Sequence, residues 1–146
     1  MYHRIIIVGN LGRDPEMRYL PSGTPVTNFS VAANRTYTNA NGEQIKETIW
    51  FRVSAWGKLA ETCHQYLKRG MRVLVEGRLL ADPATGGPRI YTRGDGSAGA
   101  SFEVRADVVR FLTSRAEAAE LLGEAPAGGA AAPVDDLPGE EDEIPF

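Results

Sequence analysis

The stretch from Thr48 to Trp56 constrains the fold most, because its polarity alternates with the period of a β-strand. One face is apolar and suits a hydrophobic core: Ile49, Phe51, Val53 and Ala55. The other face sets two tryptophans among polar groups and a cation: Thr48, Trp50, Arg52, Ser54 and Trp56. Aromatic rings interleaved with arginine are typical of surfaces on which unpaired bases stack. From the strand alone, an oligomer interface that covers the tryptophans is an equally good interpretation.

Four other segments have strand-like patterns, and one has a helical pattern. Together with residues 43–56, the predicted strands are 3–11, 26–37, 71–80 and 101–112. Asn41-Gly42 is a hairpin signal between the second and third strands. Lys58–Arg69 has apolar residues at helical spacing, and Gly70 is expected to end that helix. The Gly- and Pro-rich segment Ala81–Ala100 is predicted to be a long mobile hairpin.

The order of three strands, a helix and two strands predicts an all-β fold, the five-stranded antiparallel OB-fold barrel. Such barrels bind oligonucleotides around strands two and three. The first strand is apolar on both faces, which predicts cover by the core and by a neighbouring subunit. Inward-facing residues are predicted for three strands: Phe29, Val31 and Ala33 in the second, Val73, Val75, Gly77 and Leu79 in the fourth, and Phe102, Val104, Ala106 and Val108 in the fifth.

Charge divides the chain into a basic body and an acidic end. Residues 1–115 hold all 16 Lys and Arg and ten of the 19 Asp and Glu, so their net charge is +6. Residues 116–146 hold the other nine acids and no basic residue, so theirs is −9. This split indicates a polyanionic ligand for the body and a separate role for the end, although acidic tails can also serve solubility alone.

Composition predicts three regions. Residues 1–113 form the barrel domain, 114–138 an Ala/Gly/Pro-rich linker, and 139–146 an acidic tip within a disordered C-terminal tail. Ser114 and Glu117 resemble a capping box, so a short helix is expected to begin the linker and run to about Leu122. The tip ends in Asp142, Glu143, Ile144, Pro145 and Phe146, and its terminal aromatic ring suits docking into a small basic pocket of a partner.

Several classes of function are disfavoured. No apolar run approaches the length of a membrane span or signal peptide, and a single cysteine, Cys63, forms no internal disulfide framework, so a cytosolic protein is expected. No nucleophile–base pair, carboxylate pair or metal-ligand spacing stands out, so we expect no enzyme activity, no metal and no cofactor. The remaining rival is an OB-fold adaptor or RNA-binding module, because stacking does not read the 2′-hydroxyl.

Four stretches together resemble the bacterial single-stranded DNA-binding protein family. They are residues 8–16 with Arg18-Tyr19, residues 50–53 with 57–61, residues 66–70 with 75–77, and Ile144-Pro145-Phe146 behind acidic residues. The resemblance covers residues 1 to about 112 and the last half dozen. Any one of these stretches alone would be weak evidence for the family.

The resemblance implies roles for individual positions. Trp50, Trp56 and a position near Tyr37 match stacking aromatics, and Lys58 and Arg69 match basic residues along the DNA path. The first strand matches the one that commonly assembles dimers and tetramers, so a homotetramer is expected. The acidic tip implies recruitment of replication, recombination and repair proteins to single-stranded DNA in the cytoplasm, at the nucleoid.

The chain also departs from the family pattern. A further stacking tryptophan, expected in the loop after the fourth strand, has no clear counterpart, and Tyr91 is the nearest candidate. Glu143 stands before Ile144 where many members have aspartate. The linker is short and Ala-rich, which implies a shorter reach to partners.

Overall fold

The structure, a computed structural model, describes residues 1–123 as seven β-strands and two α-helices. The strands are β1 Ile5–Leu11, β2 Glu16–Tyr19, β3 Pro25–Thr38, β4 Gln44–Trp56, β5 Arg72–Leu80, β6 Arg89–Thr92 and β7 Ala98–Phe111. Helix α1, Lys58–Tyr66, lies between β4 and β5, and α2, Arg115–Leu121, follows β7.

Five of these strands close into a barrel. β3 pairs with β4, β4 with β7, β7 with β5, and β5 with β1. The barrel closes where Asn10 and Leu11 of β1 pair with Ala32 and Val31 of β3. The two short strands extend this barrel, since β2 pairs with the beginning of β3 and β6 with the beginning of β7. The expected five-stranded barrel is therefore present.

The expectation that all strands run antiparallel is wrong at one pair. β4 and β7 are parallel over Phe51–Ser54 and Phe102–Arg105. These strands are separated by α1, β5 and β6, and a connection of that length can join strands that run in either direction. The alternation of side chains does not reveal strand direction.

Two short strands and the end of helix α1 also differ from the sequence-based expectation. β2 was not predicted as a strand, and β6 lies in the segment Ala81–Ala100 that was predicted to be a long mobile hairpin; each strand is four residues long and lies among glycines and prolines. Their backbone groups nevertheless pair fully with a long neighbouring strand. Helix α1 ends at Tyr66 rather than Arg69, since Leu67 is extended and fully buried in the core. Gly70 instead serves the turn before β5, with a φ of 87°.

The core lies between the barrel sheet and α1, with α2 contributing Ala118. The expected core positions Phe29, Val31, Val73 and Val75 are buried. The side of α1 that faces the barrel buries Ala60 and Cys63. The Thr27 hydroxyl of β3 donates a buried hydrogen bond of 2.6 Å to the Ala60 carbonyl of α1. The helix thus packs against β3, one of the two strands that carry the candidate site.

A bulge in β7 changes which of its residues face the core. Gly77 pairs with Ala106 but Glu76 pairs with Val108, so Asp107 is an extra residue in β7. An extra residue exchanges the two faces of a strand beyond it. The prediction that Val108 faces inward is therefore wrong, and Val109 and Phe111 are buried instead. Phe102 and Leu79, also expected inside, are 50% and 43% exposed.

Strand β1 is covered on one face only within this chain. Ile7 and Leu11 are buried, whereas Ile6 and Val8 are 65% and 50% exposed. Within the described residues, Ile5–Gly9 pair with β5 alone, so their other edge carries backbone groups without a strand partner. Neighbouring Arg4 forms ion pairs with Glu76 at 3.0 Å and Asp107 at 3.5 Å.

Helix α2 begins with the predicted capping box. The Ser114 hydroxyl accepts a hydrogen bond from the Glu117 backbone N–H, and the Glu117 carboxylate accepts one from the Ser114 backbone N–H. The remainder of the predicted linker and the acidic tip, residues 124–146, lie outside the described residues.

Candidate nucleic-acid interface

The pairing of β3 with β4 sets Trp50, Arg52 and Trp56 of β4 opposite smaller side chains of β3. Trp50 lies opposite Ala32, Arg52 opposite Ser30, Ser54 opposite Asn28, and Trp56 opposite Val26. Directly opposed residues of an antiparallel pair share a face of the sheet. Small neighbours leave the rings and the guanidinium standing above the sheet. We call Trp50, Arg52, Ser54 and Trp56 the aromatic–arginine face.

Two adjoining grooves lie along this face. The Trp56 groove has a volume of about 550 Å³ and is lined by residues that include Trp56, Arg13, Arg18, Asn28, Arg52 and Arg89. The Trp50 groove has a volume of about 320 Å³ and is lined by residues that include Trp50, Gly12, Phe51, Tyr91 and Ser101. Both grooves are also lined by Arg13, Ser30 and Arg52, so they form one path.

The two tryptophans differ in their surroundings. Trp50 is 54% exposed, and its ring lies against the backbone at Gly12. Trp56 is half-buried, and the guanidinium carbon of Arg105 lies 4.9 Å from the centre of its ring. The Trp56 indole nitrogen is buried and has no hydrogen-bond partner among the described residues. Trp50 therefore offers more free ring surface than Trp56.

Arg52 connects the aromatic–arginine face to the β6–β7 hairpin. Its guanidinium lies 4.0 Å from the Glu103 carboxylate, which also lies 3.8 Å from Arg89. The Tyr91 ring has guanidinium carbons at 5.9 Å, from Arg52, and at 6.0 Å, from Arg93. The ring of Tyr91 is 38% exposed and lines the Trp50 groove. The structure thus brings Trp50, Arg52 and Tyr91 together.

Three predicted site residues line neither groove. Tyr37 pairs with Ile45 near the tip of the β3–β4 hairpin, and strand alternation places it on the face opposite Trp50. Arg35 lies 4.9 Å from the Tyr37 ring, and the nearby Glu47 carboxylate raises the pKa of Tyr37. Lys58 is exposed at the start of α1, immediately after Gly57.

Arg69, the third of these residues, is exposed in the turn that follows α1. Its backbone N–H donates a hydrogen bond of 2.8 Å to Asp14, which lines the Trp56 groove. Arg69 is therefore adjacent to the path without forming its wall.

The sequence interpretation missed four arginines that lie at or beside the grooves: Arg13, Arg18, Arg89 and Arg105. Arg13 lies between β1 and β2, and Arg18 lies in β2, a strand that was not predicted. Arg89 reaches the path only because β6 pairs with β7. Arg105 reaches it only because β7 runs beside β4. Alternating polarity gave no signal for the long-range pairing of β4 with β7.

In residues 1–123 no three His, Cys, Asp or Glu side chains are grouped to hold a metal ion. Cys63 is fully buried, and this burial raises its thiol pKa to about 12, so it remains protonated at neutral pH. No helix in this part of the chain has the length and apolar character needed to cross a membrane. The predicted partner-binding tip, residues 142–146, lies outside the described residues.

Two bacterial proteins are similar in sequence to most of this chain. The chain is 38% identical over 115 residues to the single-stranded DNA-binding protein of Neisseria meningitidis serogroup A, covering 79% of this chain and 62% of that protein. It is 36% identical over 115 residues to the protein of the same name from Wolinella succinogenes, covering 79% and 67%.

A crystal structure of a deletion mutant of the Thermus aquaticus single-stranded DNA binding protein is similar, with a TM-score of 0.59 and 26% sequence identity. That match covers 77% of this chain and 51% of the Thermus chain, so this chain spans about half the length of that relative. The model of the single-strand binding protein family matches residues 2–112, which include both grooves, and the chain therefore belongs to this family.

Proposed function

We propose that this protein binds single-stranded DNA without sequence preference, along the path formed by the two grooves. The observation that carries this proposal is the aromatic–arginine face, where Trp50, Arg52 and Trp56 stand above a row of smaller side chains. Family membership and the names of the relatives support it. Trp50, Trp56 and Tyr91 are the stacking residues we propose, with Arg52 among them as a phosphate ligand.

The energies of single contacts are modest, so they favour binding through several contacts at once. Each stacked base contributes about 1–3 kcal/mol, and stacking tolerates every base because each has a π face. Each phosphate neutralised by Lys or Arg adds a log–log salt dependence of about −0.7 on single strands. Duplex DNA is a poor ligand in this mechanism, because its bases are stacked on one another and do not reach Trp50 or Trp56.

Tyr37, Lys58 and Arg69 belong to an outer part of the same proposed path. Tyr37 lies on the β3–β4 hairpin beyond the grooves, Lys58 follows Trp56 closely in sequence, and Arg69 is hydrogen-bonded to Asp14 at the rim. All three are exposed or half-buried in the described chain. A strand of DNA that leaves either groove would contact these residues after the tryptophans.

We also propose that the protein assembles as a homo-oligomer, with a homotetramer as the expected state. The free edge of Ile5–Gly9, with Ile6 and Val8 exposed beside it, supports β1-to-β1 pairing between two copies. Exposed strand edges with apolar side chains favour association. Several barrels on one strand of DNA also raise avidity, by about 100-fold or more.

We further propose that residues 1–113 are the DNA-binding domain and that the acidic tip recruits replication, recombination and repair proteins. The charge of the last 31 residues and the terminal Ile144-Pro145-Phe146 support a docking role for this end. In this proposal the protein acts in the cytoplasm at the nucleoid and has no catalytic role.

A fluorescence titration tests the DNA-binding proposal. Trp50 and Trp56 are the only tryptophans, so intrinsic emission reports on this face alone. Oligo-dT should quench the emission strongly and duplex DNA of equal length should not. Trp50→Ala and Trp56→Ala variants should each bind more weakly while folding and assembling normally. Undiminished binding by both variants would contradict the proposal. A matched RNA oligomer that bound as tightly as the DNA would favour the rival RNA-binding function.

A further inference from the structure

Arg105 is not among the residues expected to contact DNA, yet it lies against one of the proposed stacking rings. It belongs to β7 and pairs in parallel with Ser54 of β4, two residues before Trp56. Its guanidinium carbon lies 4.9 Å from the centre of the Trp56 ring. Cation–π contacts of this kind are effective within about 6 Å of the ring centre. Arg105 therefore covers one face of Trp56.

Among the described residues, the guanidinium of Arg105 has no acidic partner. Arg52 and Arg89, which line the Trp56 groove, share the Glu103 carboxylate. Arg105 is exposed, and no carboxylate among residues 1–123 lies within salt-bridge distance of it. A guanidinium can stack on a ring through its plane while its N–H groups at the edge donate to a phosphate.

The Trp56 ring has no hydrogen bond to fix its orientation. Its indole nitrogen is buried and lacks a partner in the described structure, so packing alone holds the ring. Arg105 supplies that packing on one side, and Val26 lies directly opposite Trp56 in the β3–β4 register. Loss of the Arg105 side chain would leave the ring free to tilt into the groove.

We propose that Arg105 and Trp56 bind one nucleotide as a unit. The base stacks on the free face of Trp56, while Arg105 holds the opposite face and donates to the adjoining phosphate. A phosphate is linked to its base through a single sugar, so a base on Trp56 carries a phosphate to the rim of the ring. This inference rests on the proposed binding of single-stranded DNA and assigns an additional residue to it.

The test uses the full chain in a Trp50→Phe background, where Trp56 is the only tryptophan. Oligo-dT is titrated at several salt concentrations against this parent and its Arg105→Ala, Arg105→Lys and Arg110→Ala derivatives. Arg110 is the matched control, because it is exposed on the same strand but pairs with Leu74, beyond the part of β7 that pairs with β4. Circular dichroism and molar mass verify folding and assembly of each variant.

Arg105→Ala should weaken binding about tenfold, as expected for loss of one charge-assisted contact. Its log–log salt slope should be shallower than the parent's by about 0.7, the value for one phosphate. Arg105→Lys should restore the slope but not the emission spectrum of free Trp56, because an ammonium group keeps the charge without the planar stack. Arg110→Ala should match the parent in affinity and slope.

Other results overturn the inference. If Arg105→Ala matches Arg110→Ala in affinity and slope, Arg105 does not contact phosphate, and the proposed function stands without it. If Arg105→Ala binds more tightly, Arg105 obstructs Trp56 rather than assisting it. If the unaltered protein fails to bind oligo-dT, both the inference and the proposed function are rejected.

Discussion

The indole ring of Trp50 lies directly against Gly12: a Cβ atom at position 12 would lie 2.5 Å from Trp50 Cζ3 and 2.8 Å from Cη2. The absence of a side chain at Gly12 therefore sets where the most exposed tryptophan rests. Gly12 follows β1 and Trp50 belongs to β4, so two segments far apart in sequence jointly position this ring.

Gly12→Ala should weaken binding of oligo-dT several-fold with little loss of stability. The added methyl group forces the Trp50 ring to move, and a displaced ring forfeits part of the about 1–3 kcal/mol that one stacked base contributes. The melting temperature should change little, since the ring is exposed and can shift into solvent. Fluorescence titration and a thermal melt measure the two effects. Gly94→Ala is the control, because a Cβ there meets no atom within 4 Å. Equal losses of affinity in both variants would contradict this role.

Tyr91 should act as a stacking ring through its aromatic face rather than its hydroxyl group. It lies over Gly99, where a Cβ would be 2.7 Å from Tyr91 Cζ, and beside Arg52 and Arg93. Tyr91→Phe should retain the affinity for oligo-dT, and Tyr91→Leu should reduce it by roughly 1–3 kcal/mol, or about 5- to 150-fold. Filter binding at fixed salt measures both. An unchanged affinity in Tyr91→Leu would remove Tyr91 from the path.

Gly77→Ala should destabilise the barrel. A Cβ at Gly77 would overlap the backbone oxygen of Arg105, and Gly77 is buried beside the bulge in β7. Backbone atoms within a sheet yield less readily than a side chain, so we expect a loss of about 1–3 kcal/mol in the free energy of unfolding. Urea denaturation measures it. Gly87→Ala is the comparison, because its nearest contact, Thr85 Oγ1 at 3.7 Å, is an ordinary one. Similar midpoints for the two variants would show that the sheet accommodates the methyl group.

Ionisation of Cys63 should make stability fall at alkaline pH. Burial raises the thiol pKa from 9.0 to about 12 in the folded chain. Below pH 9 the Cys63 thiol is protonated in both the folded and the unfolded chain, so its full contribution to the free energy of unfolding is present there. Above pH 9 the unfolded chain loses the proton while the folded chain keeps it, and stability is lost as pH rises toward 12. Urea midpoints between pH 8 and 10.5 should decline less in Cys63→Ala than in the unaltered protein. Parallel declines would exclude Cys63 as the cause.

Alkylation of Cys63 should be slow in the folded protein, because burial raises the pKa of its thiol. Only the thiolate reacts with iodoacetamide, and a buried thiol with a raised pKa supplies very little of it at pH 8. Labelling of the native protein, followed by mass, should therefore be far slower than labelling in urea. Equal rates in both conditions would mean that α1 opens readily.

Much of the site was predictable from one strand. The alternation from Thr48 to Trp56 separates the core residues Val53 and Ala55 from the aromatic–arginine face, because side chains of a strand alternate with a strict period of two. The same alternation indicated β3, β5 and much of β7, whereas β1 was predicted from an apolar run that covers both of its faces. The capping box of α2 was also predictable, since it depends only on residues three positions apart.

The period-two pattern predicted the wrong inward-facing residues where an extra residue or a distant strand determined which side chains are buried. Asp107 shifts β7 by one position and buries Val109 instead of Val108. Tyr37, which the family resemblance assigned to stacking, pairs with Ile45 on the face opposite Trp50, and its role in binding stays a prediction.

The sequence by itself determined the strand that carries Trp50, Arg52 and Trp56, the basic charge of the body and the acidic end, because these depend on local order and composition. Only the tertiary structure decided that β4 and β7 run parallel, that Gly12 lies under Trp50, and that Arg105 covers Trp56. Those contacts join residues 38 to 51 positions apart, and no local pattern of polarity encodes which distant strands become neighbours when the barrel closes.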